Sequence, residues 1–422
     1  MGCSVFRSAR VRAALYSIAI AGSLQATVAR ADPLPPLAEL LRQSQSMAPQ
    51  LIEGEANLQA AQGLARQAAA LPNPVVSYQS ENFAGTRDFS RISPVQNTVS
   101  LSQTLEVGGK RSARIAAESA DAAAASAGFE QAQLDFARDL AIAYATCEVA
   151  ALQVKLLEDE LTRAVEDERA ARALVQAGRE SDLRSIQARA ALTNTQARLE
   201  QARASLGESL IRISTLAGVA EPYTDVRPLL LPRADKLALP TDQAPVVTPA
   251  LRTAEADRES AARRVDVERR RPISDVTVSI GSRRLPGLDA TALVAGVSIP
   301  IPVFDQNRGA IAAQRSQLRA AEARLSAVRL QLTADWRSAF AQARAAGLRL
   351  KASNESEAAA REAYRLSRIG YDAGRTSLME LLSVRRALGE AQSQAVEARF
   401  ARVQAQITLS HLLGQIPFED TP

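Results

Sequence analysis

The sequence predicts a mainly α-helical fold with a small β part, built from long helical hairpins and repeated once along the chain. Three observations carry this. Matching segments recur at an offset of about 200 residues, so two equivalent structural units follow one another. Each unit holds a stretch too long and too rich in helix formers for anything but a rod. Each also holds two short stretches with alternating polarity, the mark of strands with one apolar face.

The repeat is explicit. Pro49-Gln-Leu51 corresponds to Pro249-Ala-Leu251, and both open helical stretches that run to a proline, Pro72 and Pro272. Val99-Ser-Leu101 corresponds to Val297-Ser-Ile299, and Gly109-Lys110-Arg111 to Asn307-Arg308-Gly309. Ala177-Gly178-Arg179 corresponds to Ala373-Gly374-Arg375, and Leu216-Ala-Gly218 to Leu412-Leu-Gly414. The organisation read from this is a first unit over 32–218, a proline-rich linker over 219–246, a second unit over 247–414 and a tail over 415–422.

The first 31 residues read as an export signal. Arg7, Arg10 and Arg12 precede a weakly apolar stretch, and Ala29-Arg30-Ala31 offers a cleavage site before Asp32. Removing these residues takes away four arginines and no acid, so the net charge falls from +5 to about +1. A mature chain so nearly neutral lacks the basic excess of a nucleic-acid binder. Cys147 is then the single cysteine, which excludes an intrachain disulfide. No run of 18 or more apolar residues follows the signal, so a membrane role has to come from strands closing into a barrel.

Residues 110–177 contain no proline and one glycine, Gly128. Alanine, leucine, glutamate, glutamine and arginine dominate, all strong helix formers. At 1.5 Å per residue such a rod is on the order of 100 Å long. Residues 308–373 repeat it. Shorter helices over 37–71 and 181–216, and their counterparts over 247–271 and 377–413, stack end to end to match each long rod.

The strand pairs fall at 75–107 and 275–303. Val95, Val99, Leu101, Leu105 and Val107 share one face, and Gln96, Thr98, Ser100, Ser102, Thr104 and Glu106 the other. Leu293, Ala295, Val297, Ile299, Ile301 and Val303 align in the second unit, opposite Val276, Val278 and Ile280. Turn-like segments join the partners at 85–94 and 284–290. Each strand is long enough to cross a bilayer when tilted, yet four strands cannot close a barrel, which needs at least eight. Three chains would supply twelve. Interface aromatics are few: Tyr78, Phe83 and Phe89 in the first unit and none in the strands of the second. Proline exits the last strand at Ile299-Pro-Ile-Pro-Val-Phe304, a junction between strand and rod. Six prolines between 219 and 249 mark a linker expected on the outside.

Catalysis and ligand binding are poorly provided for. His411 is the only histidine, so no Ser-His-Asp or Cys-His set exists, and it is expected to pack or cap. His411, Cys147, Met47 and Met379 are too scattered for a zinc or copper site. Gly108-Gly-Lys-Arg-Ser112 lacks the glycine spacing of a phosphate loop. The acidic runs at 158–160 and 166–168 lie beside arginines on a rod and read as charge pairs, while Trp336 and Cys147 read as packing residues. No enzyme and no cofactor follow.

The order of elements resembles the TolC-type outer-membrane factors over nearly the whole mature chain. Several segments are similar to the CzcC-like branch of heavy-metal efflux systems: Leu71-Pro-Asn-Pro74 with Glu81-Asn82, Ser102-Gln-Thr-Leu-Glu-Val-Gly-Gly-Lys-Arg111 with Arg114, and Ile299-Pro-Ile-Pro-Val-Phe-Asp-Gln-Asn-Arg-Gly309. The resemblance implies a homotrimer with a twelve-stranded barrel in outer-membrane lipid and a helical tunnel in the periplasm. It implies partnership with a periplasmic adaptor (a membrane fusion protein) and an inner-membrane RND pump. The helix-to-helix turns would meet the adaptor, through Gly178, Arg179, Ser181, Asp182 and Leu183 in one turn and Gly374, Arg375, Ser377 and Leu378 in the other. The glycines suit left-handed helix ends, and Ser181 and Ser377 (or Thr376) suit caps. Glu180, Asp182, Asp372 and Glu380 would form acidic rings in the lumen, a means of selecting cations.

The reading is therefore an outer-membrane duct that passively conducts cargo, heavy-metal cations on the branch resemblance. A multidrug or type I protein-secretion duct of the same architecture, and a periplasmic coiled-coil scaffold, are the alternatives.

Overall fold

A computed structural model describes residues 33–84, 95–237 and 247–418. The signal with its cleavage site at Ala31 and Asp32, the turn at 85–94 with Phe89, linker residues 238–246 and the last four residues lie outside it.

Two short helices come first, α1 (Leu37–Met47) and α2 (Pro49–Ala68). One helix over 37–71 was expected. The break falls at Ala48, whose extended backbone (φ −70°, ψ 120°) obeys the restriction that a following proline imposes, and Pro49 restarts the helix where its missing N–H costs nothing. Strands β1 (Val75–Glu81) and β2 (Gln96–Leu105) follow, then the 67-residue rod α3 (Lys110–Gln176) and its return helix α4 (Asp182–Ala217). The second unit supplies α5 (Pro249–Arg270), β3 (Val276–Leu285), β4 (Ala290–Ser298), the 65-residue rod α6 (Arg308–Asp372) and α7 (Leu378–Leu412). The last strand stops at Ser298 rather than Val303, because Pro300 and Pro302 have no N–H to pair.

Both rods start alike. Gly109 (φ 71°) and Asn307 (φ 55°) occupy the same left-handed N-cap, glycine in one unit and asparagine, the next most tolerant residue, in the other.

The four strands form one antiparallel sheet in sequence order. Register places Leu101 opposite Val76 and Ile280, and Ile280 opposite Ala295, on one face. Ser100 opposes Ser77 and Gly281 on the other. The apolar face is bare: Ile280 is 62% exposed and Leu293 85%. The opposite face is a ladder of hydroxyls, with Ser77 and Ser100 Oγ atoms 2.8 Å apart and Thr104 and Thr277 Oγ1 atoms 3.2 Å apart.

The first half of α3 packs on α2 and α5, and its second half on α4 and α7; α6 packs on α5 and then α7. The order is thus α2–α3–α5–α6 near the sheet and α4–α3–α7–α6 away from it. The protomer therefore has one border made of β1, α2 and α4 and the other of β4 and α6. An alanine-rich window of α3 reaches a mean hydropathy of 1.5 and is apolar enough by length and composition to cross a membrane. Its inner side belongs to the core: Leu140, Ala141 and Tyr144 lie there with Leu37, Leu210, Ile213, Leu230 and Ile407.

The linker does not simply wrap the outside. A 3₁₀ turn (Leu231–Lys236) forms a strap whose inner side, Val226, Leu230, Leu231 and Ala234, is buried in that core.

Candidate functional site

Three regions carry the chemistry: the tips of the two hairpins, the strap and the junction between sheet and rods.

At the first tip, Gly178 (φ 67°) donates its N–H to the Val175 carbonyl at 2.9 Å and Arg179 donates to Leu174 at 2.9 Å. At the second, Gly374 (φ 70°) donates to Tyr371 at 2.9 Å and Arg375 to Gly370 at 2.7 Å. This is the same left-handed helix stop in both units. Arg179 and Arg375 are exposed on it. Ser377 caps its helix, its hydroxyl accepting from the Glu380 N–H at 3.3 Å. Ser181 holds the equivalent position, but its side chain makes no cap bond.

Leu183 and its counterpart Met379, each the second residue of its helix, are both exposed, at 60% and 48%. Leu378, which stands where the first unit has Asp182, is buried inside the tip, which removes it from the outward-facing set expected from the sequence. Ile186 and Met379 extend the exposed apolar patch beside Leu183. The Arg184 guanidinium lies 3.6 Å from Met379 Sδ and joins the two tips. Of the four tip carboxylates, Glu180 pairs with Arg184 at 3.6 Å and Asp372 with Arg368 at 3.5 Å. Asp182 and Glu380 sit in the first turns of α4 and α7, where the helix dipole favours an acid. Higher up, Arg385 of α7 pairs with Asp167 of α3, both largely buried. Burial pulls the Arg385 guanidinium below its ordinary value, partly countered by Glu160.

The strap is held at both ends by buried charges that sequence reading missed. The Glu148 carboxylate accepts the N–H groups of Leu229 at 2.6 Å, Leu230 at 2.8 Å and Leu231 at 2.8 Å. Burial pushes its pKa up, and the three N–H bonds pull back. Arg402 donates to the Leu237 carbonyl at the other end and to Ala343 of α6 at 3.2 Å. An acid at the start and a cation at the end match the turn's dipole. The available signal was a single acid within the apolar run 140–152 and the apolar triplet Leu229-Leu230-Leu231 between prolines.

At the junction, Arg114 binds Glu106 and the carbonyls of Ala68 at 3.0 Å and Ala70 at 3.1 Å, while Arg111 reaches Ala69 at 2.6 Å. These arginines satisfy the orphan carbonyls at the end of α2 and so weld the strand exit to the rod. Lys110 pairs with Asp275 at 3.0 Å, and Asn307 donates to the Glu268 carbonyl at 2.9 Å.

The remaining singled-out residues are internal. Cys147 and Trp336 are buried, and burial raises the Cys147 thiol pKa. His411 neither simply packs nor caps: its Nε2 lies 2.7 Å from Asp135 Oδ1 and ties α7 to α3. Among the described residues, no three of His, Cys, Asp and Glu gather into a metal-binding group.

The profile of a single family, described as outer membrane efflux protein, matches residues 40–219 and 242–415, almost the whole of both units. The chain belongs to this family. It is an outer-membrane efflux channel that extends into the periplasm, and a transport protein rather than an enzyme. It is 42% identical over 399 residues to the nickel and cobalt resistance protein CnrC of Cupriavidus metallidurans, covering 94% of this chain and 95% of that protein. It is 40% identical over 400 residues to the nickel-cobalt-cadmium resistance protein NccC of Alcaligenes xylosoxydans xylosoxydans, covering 95% and 90%. The cobalt-zinc-cadmium resistance protein CzcC of Cupriavidus metallidurans is 30% identical over 368 residues, 85% of each chain. The CzcC-like resemblance read from the motifs is thereby established. Among solved structures the fold is similar to CusC (TM-score 0.70, 17% identity, 90% of this chain and 92% of that one). It is also similar to the open-state MtrE channel of Neisseria gonorrhoeae (TM-score 0.71, 18% identity, 92% and 91%). Channel-family membership sets aside the periplasmic scaffold.

Proposed function

We propose that three copies of the chain close edge to edge into a duct that carries hydrated divalent heavy-metal cations from a periplasmic adaptor and its inner-membrane pump to the exterior. The observation that carries this is the pair of unfilled borders. Among the described residues β1 and β4 each lack a partner strand on one side, and they adjoin α2 and α6, which border the same wall. Apolar side chains stand exposed along both borders: Ile52, Leu64 and Ile211 on one, Leu330, Leu348 and Leu366 on the other. A strand row left open is a template for pairing, and closure is the way to end it.

The apolar sheet face then meets lipid and the hydroxyl ladder lines the pore. Among the described residues its one charged pair, Arg283 with Glu81 at 3.6 Å, is mutually neutralised, so the wall lets a hydrated cation pass without holding it, as fits conduction driven from outside the duct. The tips receive the adaptor through Arg179, Arg375, Ser181, Ser377, Leu183 and the left-handed Gly178 and Gly374. Cation preference arises at the tip carboxylates, chiefly Asp182 and Glu380, since Glu180 and Asp372 already hold arginines. The metal assignment rests on the relatives whose names specify nickel, cobalt, zinc and cadmium.

The test is deletion of the gene followed by a panel of metals and drugs. Sensitivity to divalent metals alone supports the proposal, whereas drug sensitivity with unchanged metal tolerance, or a protein-secretion defect, contradicts it.

A further inference from the structure

The strap fixes which way the helices face at mid-length. Glu148 of α3 and Arg402 of α7 both grip it. Nine residues along an α-helix make about two and a half turns, so a side chain nine positions away stands on the opposite face. Nine positions from Glu148 is Asp139, and nine from Arg402 is His411. Both therefore point away from the strap. Lys110 gives the same direction from the sheet end. It pairs with Asp275, which precedes β3 in step with Thr277 on the hydroxyl face. Asp135 and Asp139 follow Lys110 on α3 by about seven and eight turns, so they share its stripe. In the proposed duct that stripe faces the lumen.

Four ionisable groups meet there. His411 Nε2 lies 2.7 Å from Asp135 Oδ1, and Arg138 lies 3.3 Å from the same oxygen and 2.9 Å from Asp139 Oδ1. The side chains of Asp135 and Asp139 are 41% and 51% exposed, while Phe136, Ala137 and Leu140 beside them are buried. On the adjoining elements, Arg252 at the start of α5 pairs with Glu130 at 3.2 Å, and Asp335 of α6 accepts from Gln331 at 2.7 Å. Glu148 and Arg402 are turned to the strap. With His411 neutral, two carboxylates face one guanidinium, which leaves −1 in each copy; a protonated His411 brings that to 0.

We infer that this cluster is a mid-duct selectivity belt whose charge is set by His411. Histidine is the side chain that changes charge between pH 5 and 8. Carboxylate rings favour cations. At the alkaline end of that range three copies give the lumen a net negative belt, and at the acid end the belt is neutral. The duct thus loses part of its cation preference in an acidified periplasm, independently of the tip carboxylates. The inference rests on the proposed duct, and its test separates the two.

Full-length protein in planar bilayers reports the belt as a reversal potential under a KCl gradient, read at pH 8 and pH 5.5. Wild type is expected to shift toward zero at pH 5.5. His411→Gln removes the shift and keeps the higher cation preference at both pH values. His411→Lys, cationic throughout, gives the lower preference at both. Because these two variants move in opposite directions, a merely loosened contact between α7 and α3 produces neither pattern. Asp139→Asn lowers the preference at pH 8. Glu380→Gln, at the tip, lowers the preference but leaves the shift in place. A shift of equal size in wild type and His411→Gln overturns the belt and leaves the duct standing. A wild-type protein that forms no channel overturns both.

Discussion

Glu148 accepts the backbone N–H of Leu231 at 2.8 Å, and with that bond a rod of the first unit holds the strap that leads to the second. The carboxylate is fully buried and also takes the N–H groups of Leu229 and Leu230. Glu148→Ala strands three buried donors and is expected to cost about 2–4 kcal/mol at neutral pH, taking each net loss near 1 kcal/mol. Denaturant unfolding of the reconstituted protein measures it.

The same residue has a pH signature. Burial raises its folded-state pKa above the ordinary 4.5. The folded state therefore holds this proton more tightly than the unfolded state. Its contribution to stability is fully present below the unfolded value and is lost as pH rises through the raised one. Wild type should gain stability over Glu148→Gln as pH falls from neutral towards 4.5. Parallel stability–pH curves for the two proteins would show that burial does not shift this carboxyl.

Arg385 and Asp167 join α7 to α3 above the tips, and each is less than a fifth exposed. Removing one partner leaves the other charge partly desolvated, at a cost of about 1–3 kcal/mol. Asp167→Asn is expected to loosen the tip and raise single-channel conductance in planar bilayers. Unchanged conductance would mean that this pair only packs.

The tip carboxylates differ in their surroundings, and so should their variants. Asp182→Asn and Glu380→Gln are expected to reduce cation-over-anion preference, measured as a reversal potential under a salt gradient. Glu180→Gln and Asp372→Asn should do less, because each already faces an arginine at 3.6 and 3.5 Å. Equal effects at all four would contradict this ordering.

Two glycines are fixed by geometry and one is not. A Cβ on Gly218 (φ 77°) would stand 2.1 Å from the Met47 carbonyl oxygen, where the linker entry packs against the α1–α2 break. Gly178 meets nothing within 4 Å but is left-handed. Gly178→Ala is expected to cost about 1 kcal/mol and Gly218→Ala more. Gly128→Ala, within α3 with open space around it, should stabilise by up to about 1 kcal/mol. Thermal unfolding of the three variants gives the order.

Much of this molecule is written in local pattern. The alternation from Gln96 to Leu105, the proline-free rods and the glycine stops at 178 and 374 each act over a few residues, so sequence shows them directly. What escaped is set by contacts between distant residues. Glu148 reads as one more acid until the strap is folded on it, and Arg402 as one more arginine until Leu237 arrives. The burial of Leu378 follows its place as the first residue of α7, where the first unit has Asp182, while Leu183 and Met379 one position on are both exposed. The burial of Leu230 and Leu231 was hidden because prolines around them read as loop. The GGKR motif with Arg114 was visible as a motif, but its work on the α2 carbonyls needed the end of α2 in place.

In the proposed duct the β4 border of one chain pairs with the β1 border of the next and the ring closes at three. Single cysteines placed along β1 and at Leu293 in β4, combined in one chain and oxidised in isolated outer membranes, test it most directly. Closure at three gives disulfides between chains at one register and a ladder that stops at the trimer. An absence of interchain bonds at every register, or a ladder that runs past three, would contradict it.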